Sequence, residues 1–394
     1  MILRARWVLP IESPPIEGAW VRLVGGVIRE VGRGRPTEAH TDLGDTALMP
    51  GLVNAHTHLE LSWMKGLNPS SESMDQWIRR LMALRKESSP SPAEQARAAE
   101  RALEEARALG TIAFGDISNT LVTADVLAAT AVPAVLFHEL LGFAPHDHDA
   151  RAREGANRVH DAVKGQVAPG LAPHAPYSTS PELFQAITRE AQARRMRSSV
   201  HLGESPEEIE FLMTGGGPIA EMLKSLGVWR DDWKAPGCDP VTYLDRLGVL
   251  TPGLLAVHAT QLKPDALAIL AARRCVIVSC PGANWWIGNG PPPIDDFYAS
   301  GCVVAFGTDS LASADALDMF AEVAAARRVS TVPHARLLES ATHGGAVALG
   351  LDESYGRIVP GLRGPLLAVR VPARITDVEE YLVSEAPRDM QWVG

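Results

Sequence analysis

The stretch Leu48-Met-Pro-Gly-Leu-Val-Asn-Ala-His56-Thr-His58-Leu-Glu-Leu-Ser62 decides the fold. An apolar run, Leu52 and Val53, leads directly into a His-x-His pair. Residues i and i+2 of a β-strand project to the same face, so two imidazoles placed there can grip one metal ion. Three distant segments repeat the context. Arg197-Ser-Ser-Val-His201-Leu-Gly-Glu204 ends a short run with a histidine and adds a glutamate three positions later. Leu254-Leu-Ala-Val-His258 ends a second run, and Val303-Val-Ala-Phe-Gly-Thr-Asp309 ends a third with an aspartate.

Strand-like runs also occupy residues 112–116, 134–138, 171–174 and 276–280. With those ending at His56, His201, His258 and Phe306 they make eight. They alternate with helical stretches such as residues 92–109 and 181–195. Strands separated by helices predict a parallel sheet covered by helices. Polar residues gathered at the carboxyl ends of eight such units are the catalytic pattern of a (β/α)8 TIM barrel, an α/β fold. Residues 1–50 and 350–394 carry short β-like runs broken by Gly and Pro, and neither end can bury a core alone. The expected organisation is a barrel over 51–349 with a small β-sandwich built jointly from 1–50 and 350–394.

The 394 residues suit one barrel with a satellite. Hydrophobic residues at 46% and charged residues at 21% describe a soluble chain with a large core. A net charge of −10 without a basic cluster argues against a nucleic-acid binder. No apolar stretch reaches the roughly 18–20 residues of a membrane span, and the start lacks a secretory pattern. The four cysteines form no CxxC, so a reduced cytoplasm is the expected location.

Three histidines and a carboxylate form a nitrogen–oxygen set suited to Zn²⁺, and also to Fe²⁺ or Mn²⁺. Zn²⁺ lowers the pKa of bound water to about 7. Hydrolytic deamination then needs a base for the water proton and an acid for a ring nitrogen and the leaving amine. Asp309 can be ligand and base, Glu204 the proton shuttle, and His258 the group that orients water or polarises the bond under attack. The bland readings are an N-cap for Asp309 and a solvated first-turn acid for Glu204.

Taken together, His56-Thr-His58, His174-Ala-Pro-Tyr177, His201-Leu-Gly-Glu204, His258-Ala-Thr, Ser279-Cys-Pro281 with Asn284, and Gly307-Thr-Asp309 resemble the amidohydrolase superfamily. The likeness spans nearly the whole chain and is closest to the cytosolic deaminase and chlorohydrolase branch. It implies one divalent metal on His56, His58, His201 and Asp309, with Glu204 and His258 in the shuttle and orienting roles. It also implies a homodimer. Two-metal branches usually carry a carboxylated lysine on strand 4; here that strand ends in His174, and Lys164 falls in a helical stretch. Within the branch, His58-Leu-Glu60-Leu-Ser62 and the residues after His201 are similar to aminodeoxyfutalosine deaminases of menaquinone biosynthesis. Those enzymes turn the adenine ring of a nucleoside-like substrate into hypoxanthine. The chain departs from the pattern at Gly282-Ala283, at Trp285-Trp286 and at Gly364-Pro-Leu-Leu-Ala.

The expected partner is a small heterocyclic substrate, with no nucleic acid and no membrane. Glu60 is a candidate for a sugar hydroxyl or for a ligand histidine, and His174 for the ring or a structural role. Trp285, with Trp229, Trp233 and Trp286, is a candidate for stacking on a heteroaromatic ring; Trp229 and Trp233, four apart, fit packing equally well. His138-Glu139 reads as structural, His146-Asp-His148 as a loop and Gly215-Gly-Gly217 as a sharp turn. Two other functions stay in view: hydrolysis of a C–N or C–Cl bond on another heterocycle such as a triazine, and an inactive barrel acting as a binding protein.

Overall fold

The computed structural model describes residues 1–144 and 146–394. At its centre eight parallel strands pair in chain order. They are β1 (Leu52–Thr57), β2 (Thr111–Ser118), β3 (Ala134–Leu140), β4 (Val167–Pro173), β5 (Arg197–Leu202), β6 (Leu255–His258), β7 (Val276–Ser279) and β8 (Val303–Phe306). The ring closes where β8 returns to β1. Thr57 and Asp309 form a parallel bridge, and the amides of Thr308 and Asp309 donate to the His56 carbonyl at 3.1 and 3.2 Å. The expected (β/α)8 barrel is present.

Every position of β1, β2 and β3 is buried, which is why these strands read as nearly continuous apolar runs rather than alternating ones. Val53, Phe137, Ala172, Val257, Val278 and Ala305, from strands around the ring, belong to one buried cluster. Gly307 permits the closure: a Cβ there would lie 2.6 Å from the His56 carbonyl oxygen.

The helices start where the sequence supplies caps. Helix Pro92–Ala108 opens with a capping box between Ser91 and Glu94, and Pro181–Arg194 opens on Ser180, which accepts from the Leu183 amide. His148, expected in a loop, is instead the first residue of helix His148–Ala162, with Asp149 favouring the helix start from the first turn. Lys164, expected in a helix, lies just past that helix and pairs with Asp125 at 2.9 Å. Between β5 and β6 the chain makes a longer excursion through Pro206–Thr214, Gly217–Ser225 and Pro240–Arg246. Trp229 and Trp233 pack there with Phe143 and Phe211, the Phe211 and Trp233 rings stacking at 4.5 Å. Gly215 ends the first of these helices at φ +78°, so the glycine run does serve a turn.

Both ends of the chain meet in one mixed sheet. Its strand order is Met390–Val393, Leu366–Arg370, Thr46–Pro50, Ile2–Val8, Ile16–Val24 and Val27–Arg33, with Thr41–Asp42 beside Ile2–Val8. The sheet curls until Val27 bridges Arg363, enclosing Leu3, Ala5, Val21, Ile28, Leu48 and Leu366 as its own core. Thr46–Pro50 runs through Gly51 straight into β1, so this sheet anchors the strand that bears His56. Among the described residues, no helix is long and apolar enough to cross a membrane.

Candidate active site and metal centre

The polar residues expected at strand ends converge at the carboxyl end of the barrel. His56 Nε2 and His58 Nε2 lie 3.7 and 3.6 Å from Asp309 Oδ1, and His58 Nε2 lies 3.3 Å from His201 Nε2. Bonds of 2.0–2.1 Å in a tetrahedron would put neighbouring ligand atoms about 3.3 Å apart. The observed separations are close to that span. His56 Nε2 is buried and without a hydrogen-bond partner, a cost that a bound cation removes. The donor set therefore fits a divalent metal. His258 also brings a ring nitrogen within 4.8 Å of those of His56 and His201.

Burial lowers the pKa of all five site histidines, to about 4 for His174, His201 and His258. Neutral imidazoles are the form that binds metal. Asp309 behaves oppositely. Burial pushes its carboxyl up, but contact with His56 and the field of the neighbouring imidazoles prevail and hold it far below the usual carboxylate range. Its other oxygen accepts from Ser313 Oγ at 2.6 Å. No helix begins there, which removes the N-cap reading.

Glu204 is buried, not solvated. Burial, then the charge of Asp309, raises its pKa well above the ordinary carboxylate range. Its Oε1 lies 3.6 Å from His258 Nε2 and accepts from Asn289 Nδ2 at 3.3 Å. The local sequence explains its placement. Gly203 turns the chain at φ +61°, and the buried carboxylate of Glu208 accepts from the Gly203 and Glu204 amides at 3.1 and 2.9 Å. Ser205 then caps Pro206–Thr214.

Partners behind these groups fix their orientation. His258 Nδ1 donates to Asn284 Oδ1 at 3.0 Å, leaving Nε2 free toward Glu204. His201 Nδ1 donates to the His174 carbonyl at 3.1 Å, with Glu139 Oε1 at 3.6 Å. His258 and Asp309 both have positive φ, 72° and 55°. Such strain in residues other than glycine clusters at functional sites.

A cavity of about 410 Å³ opens over this floor. His58, His174, His201, Glu204, His258 and Asp309 line it. Glu139, read as structural, lines it too, its pKa pushed up to about 7 by burial. Its partner on the strand, His138, is indeed structural and pairs with the Gly155 carbonyl.

Two expected substrate contacts sit elsewhere. Glu60 lies outside the cavity lining. Its carboxylate accepts from Ser118 Oγ, the Asn119 and Thr120 amides and Thr120 Oγ1. It therefore holds the loop after β2 rather than a sugar or a ligand histidine. Trp285 is 53% exposed and lies outside the cavity lining; of helix Pro281–Ile287 it is Ile287 that lines the cavity, while Asn284 is buried against His258. Trp286 donates to the Asn68 carbonyl at 3.0 Å. The Gly282 departure has a steric reason: its amide donates to buried Glu322 at 2.7 Å, and a Cβ would meet that carboxylate at 2.5 Å.

Residues 47–380 match the Amidohydrolase family, and the chain belongs to that metal-dependent family of hydrolytic enzymes. Among curated relatives, the 5-methylthioadenosine/S-adenosylhomocysteine deaminase of Moorella thermoacetica is 28% identical, covering 96% of this chain and 88% of that one. The aminodeoxyfutalosine deaminase of Deinococcus radiodurans is 30% identical over 82% of this chain and 77% of its own length. Among solved structures, an adenosine deaminase from Xanthomonas campestris with bound zinc superposes with a TM-score of 0.82 at 27% identity. That match covers 99% of this chain and 90% of the other.

Proposed function

We propose that this enzyme removes the exocyclic amine from the purine ring of a 5′-substituted adenosine-like nucleoside, with aminodeoxyfutalosine the leading substrate. That substrate would place the chain in menaquinone biosynthesis. The observation that carries the reading is Glu204 held 3.6 Å from His258 Nε2, beside the convergent His56, His58, His201 and Asp309. The adenosine-like substrates named for its relatives supply the nucleoside.

His56, His58, His201 and Asp309 would hold one divalent ion, Zn²⁺ by donor type. That ion, when bound, makes water acidic near pH 7 and so available as a nucleophile. The remaining work falls to the chain. Asp309 is ionised and takes the water proton. Glu204 delivers a proton to the ring nitrogen next to the carbon under attack, and the same carboxyl relays a proton to the leaving ammonia. His258, fixed by Asn284, presents Nε2 to the water and to Glu204. His174 and Glu139 line the same cavity beside His201, where they would meet the bound ring.

An ammonia-release screen over adenosine, 5′-methylthioadenosine, S-adenosylhomocysteine, aminodeoxyfutalosine and guanine tests the reading. Turnover of a 5′-substituted adenosine is the expected result; turnover of guanine alone would replace it. In Glu204→Gln the metal content should persist while kcat falls by at least 100-fold, the range of a lost general acid–base group.

A further inference from the structure

A second cavity opens at the end of β5 remote from His201. Its volume of about 480 Å³ falls inside the about 300–1,000 Å³ range of small-molecule sites. Arg197 and Ser198 begin β5, Leu254 directly precedes β6, and Gln192 and Arg195 come from the end of helix Pro181–Arg194 and its C-cap. Among the described residues, no carboxylate, histidine or cysteine lines this cavity. It is therefore a place to bind a molecule rather than a second reaction centre.

The walls hold donors that the chain leaves unused. Arg195 is exposed, and among the described residues its side chain makes no hydrogen bond or ion pair. The side chains of Gln192, Ser198 and Thr251 likewise make no hydrogen bond among the described residues. Arg197 makes one, from Nη1 to the Ala348 carbonyl at 3.1 Å. A guanidinium carries five N–H donors, so most of its capacity is open. No carboxylate among the described residues stands at ion-pair distance from either arginine, and Asp352 acts on Arg197 only from farther off. Burial works against the Arg197 charge and lowers its pKa. An incoming anion would offset that cost. Close backbone fixes the group in place: a Cβ on Gly350 would lie 2.7 Å from its Nη2, and one on Gly253 3.3 Å from its Nη1.

We propose that this cavity binds a small phosphate monoester, its dianionic head received by Arg195 and Arg197 and its organic body lying along Pro173, Met196 and Val249. Guanidinium groups meet phosphate oxygens with paired N–H donors, and two separate cations match a dianion better than a single carboxylate charge. The hydroxyls of Ser198 and Thr251 supply further donors. Four residues of β5 separate Arg197 from His201, about 13 Å of strand, so the occupant would not touch the reacting groups. Both arginines also have a part in the fold. Arg195 complements the helix dipole from the C-cap, and Arg197 ties β5 to Ala348. Those parts alone predict changes in stability and no ligand.

Isothermal titration of the metal-loaded enzyme with ribose 5-phosphate, uridine 5′-monophosphate, ribose and uridine separates the two readings. Both esters should bind, and ribose and uridine should bind at least tenfold more weakly. Arg197→Met should weaken both esters at least tenfold, the range of a lost hydrogen-bonded charge, and Arg197→Lys should retain part of the affinity. Arg195→Met alters an exposed side chain, so it should fold as the wild type does and still weaken both esters severalfold. Metal content should match the wild type in every variant. Esters that bind the wild type and both methionine variants equally would be held elsewhere, as by the metal centre, and would overturn the assignment. Wild-type protein that binds neither ester, with variants that are merely less stable, would leave the arginines to the fold alone and overturn it too. Neither result touches the deaminase reading, which stands or falls on ammonia release.

Discussion

Thr57 Oγ1 donates to the carbonyl oxygen of Asp309 at 2.7 Å, across the seam where the first barrel strand meets the last. Thr57 stands between His56 and His58, and Asp309 faces both. Closing the barrel and bringing together the proposed metal ligands are one local event. Thr57→Val keeps the shape and removes the donor, at a cost of about 1 kcal/mol in stability. Melting should register that loss, and a chelator should withdraw metal several-fold more readily. Unaltered metal retention would separate the seam from the site.

His258 and Asn284 define a second relationship, in which the side-chain amide selects the imidazole tautomer. Asn284→Leu leaves the ring free to turn Nδ1 toward Glu204. The expected result is a fall in kcat of about 10–100-fold, the range for losing the outer partner of a site histidine. KM should stay within about threefold, because the lost interaction belongs to the transition state. Equal damage to KM would instead give Asn284 a part in binding substrate.

Gly307 has backbone, not a movable side chain, in its way: a Cβ would lie 2.6 Å from the His56 oxygen and 2.9 Å from its nitrogen. Gly307→Ala must push β1 and β8 apart. Overpacking of this kind costs about 1–3 kcal/mol. Calorimetric unfolding should show that loss, with substoichiometric metal by elemental analysis. Full occupancy at wild-type stability would contradict the close approach.

Glu322 gives a pH dependence. Burial, reinforced by the charge of Asp309 and opposed by the Gly282 amide, pushes its pKa from 4.5 to about 8. The folded protein then keeps a proton that the unfolded chain gives up. Its contribution is whole below pH 4.5, declines as the unfolded chain ionises, and is gone once pH passes about 8. Glu322→Gln carries no such proton. Urea unfolding from pH 5 to 9 should show the wild type losing stability relative to the variant. A difference that stays constant with pH would exclude a protonated Glu322.

The strand ends were legible because two signals coincide in this chain. An apolar run long enough for a buried strand stops at or just before a residue that apolar burial alone would reject, as at His258 and Asp309. Period-two geometry then sets His56 and His58 toward one point. Glu139 follows the apolar run Ala134–Phe137 as well, but shares that strand end with His138, and the sequence does not say which of the two faces His201. Trp285 misled for a related reason. Proximity in sequence to Cys280-Pro281 says nothing about which side of a seven-residue helix faces the cavity, and Ile287 takes that side. Arg85 belongs to a helix that precedes β2, so its place in the cavity follows from packing rather than from any local pattern.

The joint terminal sheet bears on how the molecule is made. Thr46–Pro50, which leads into β1, pairs on one side with Leu366–Arg370. During synthesis that side stays an open strand edge for more than three hundred residues, because its partner has not left the ribosome. The histidines of β1 are translated early but secured late. Maturation of this chain is therefore a race between arrival of its own last strands and capture of the waiting edge by another molecule, with chaperones the natural arbiters.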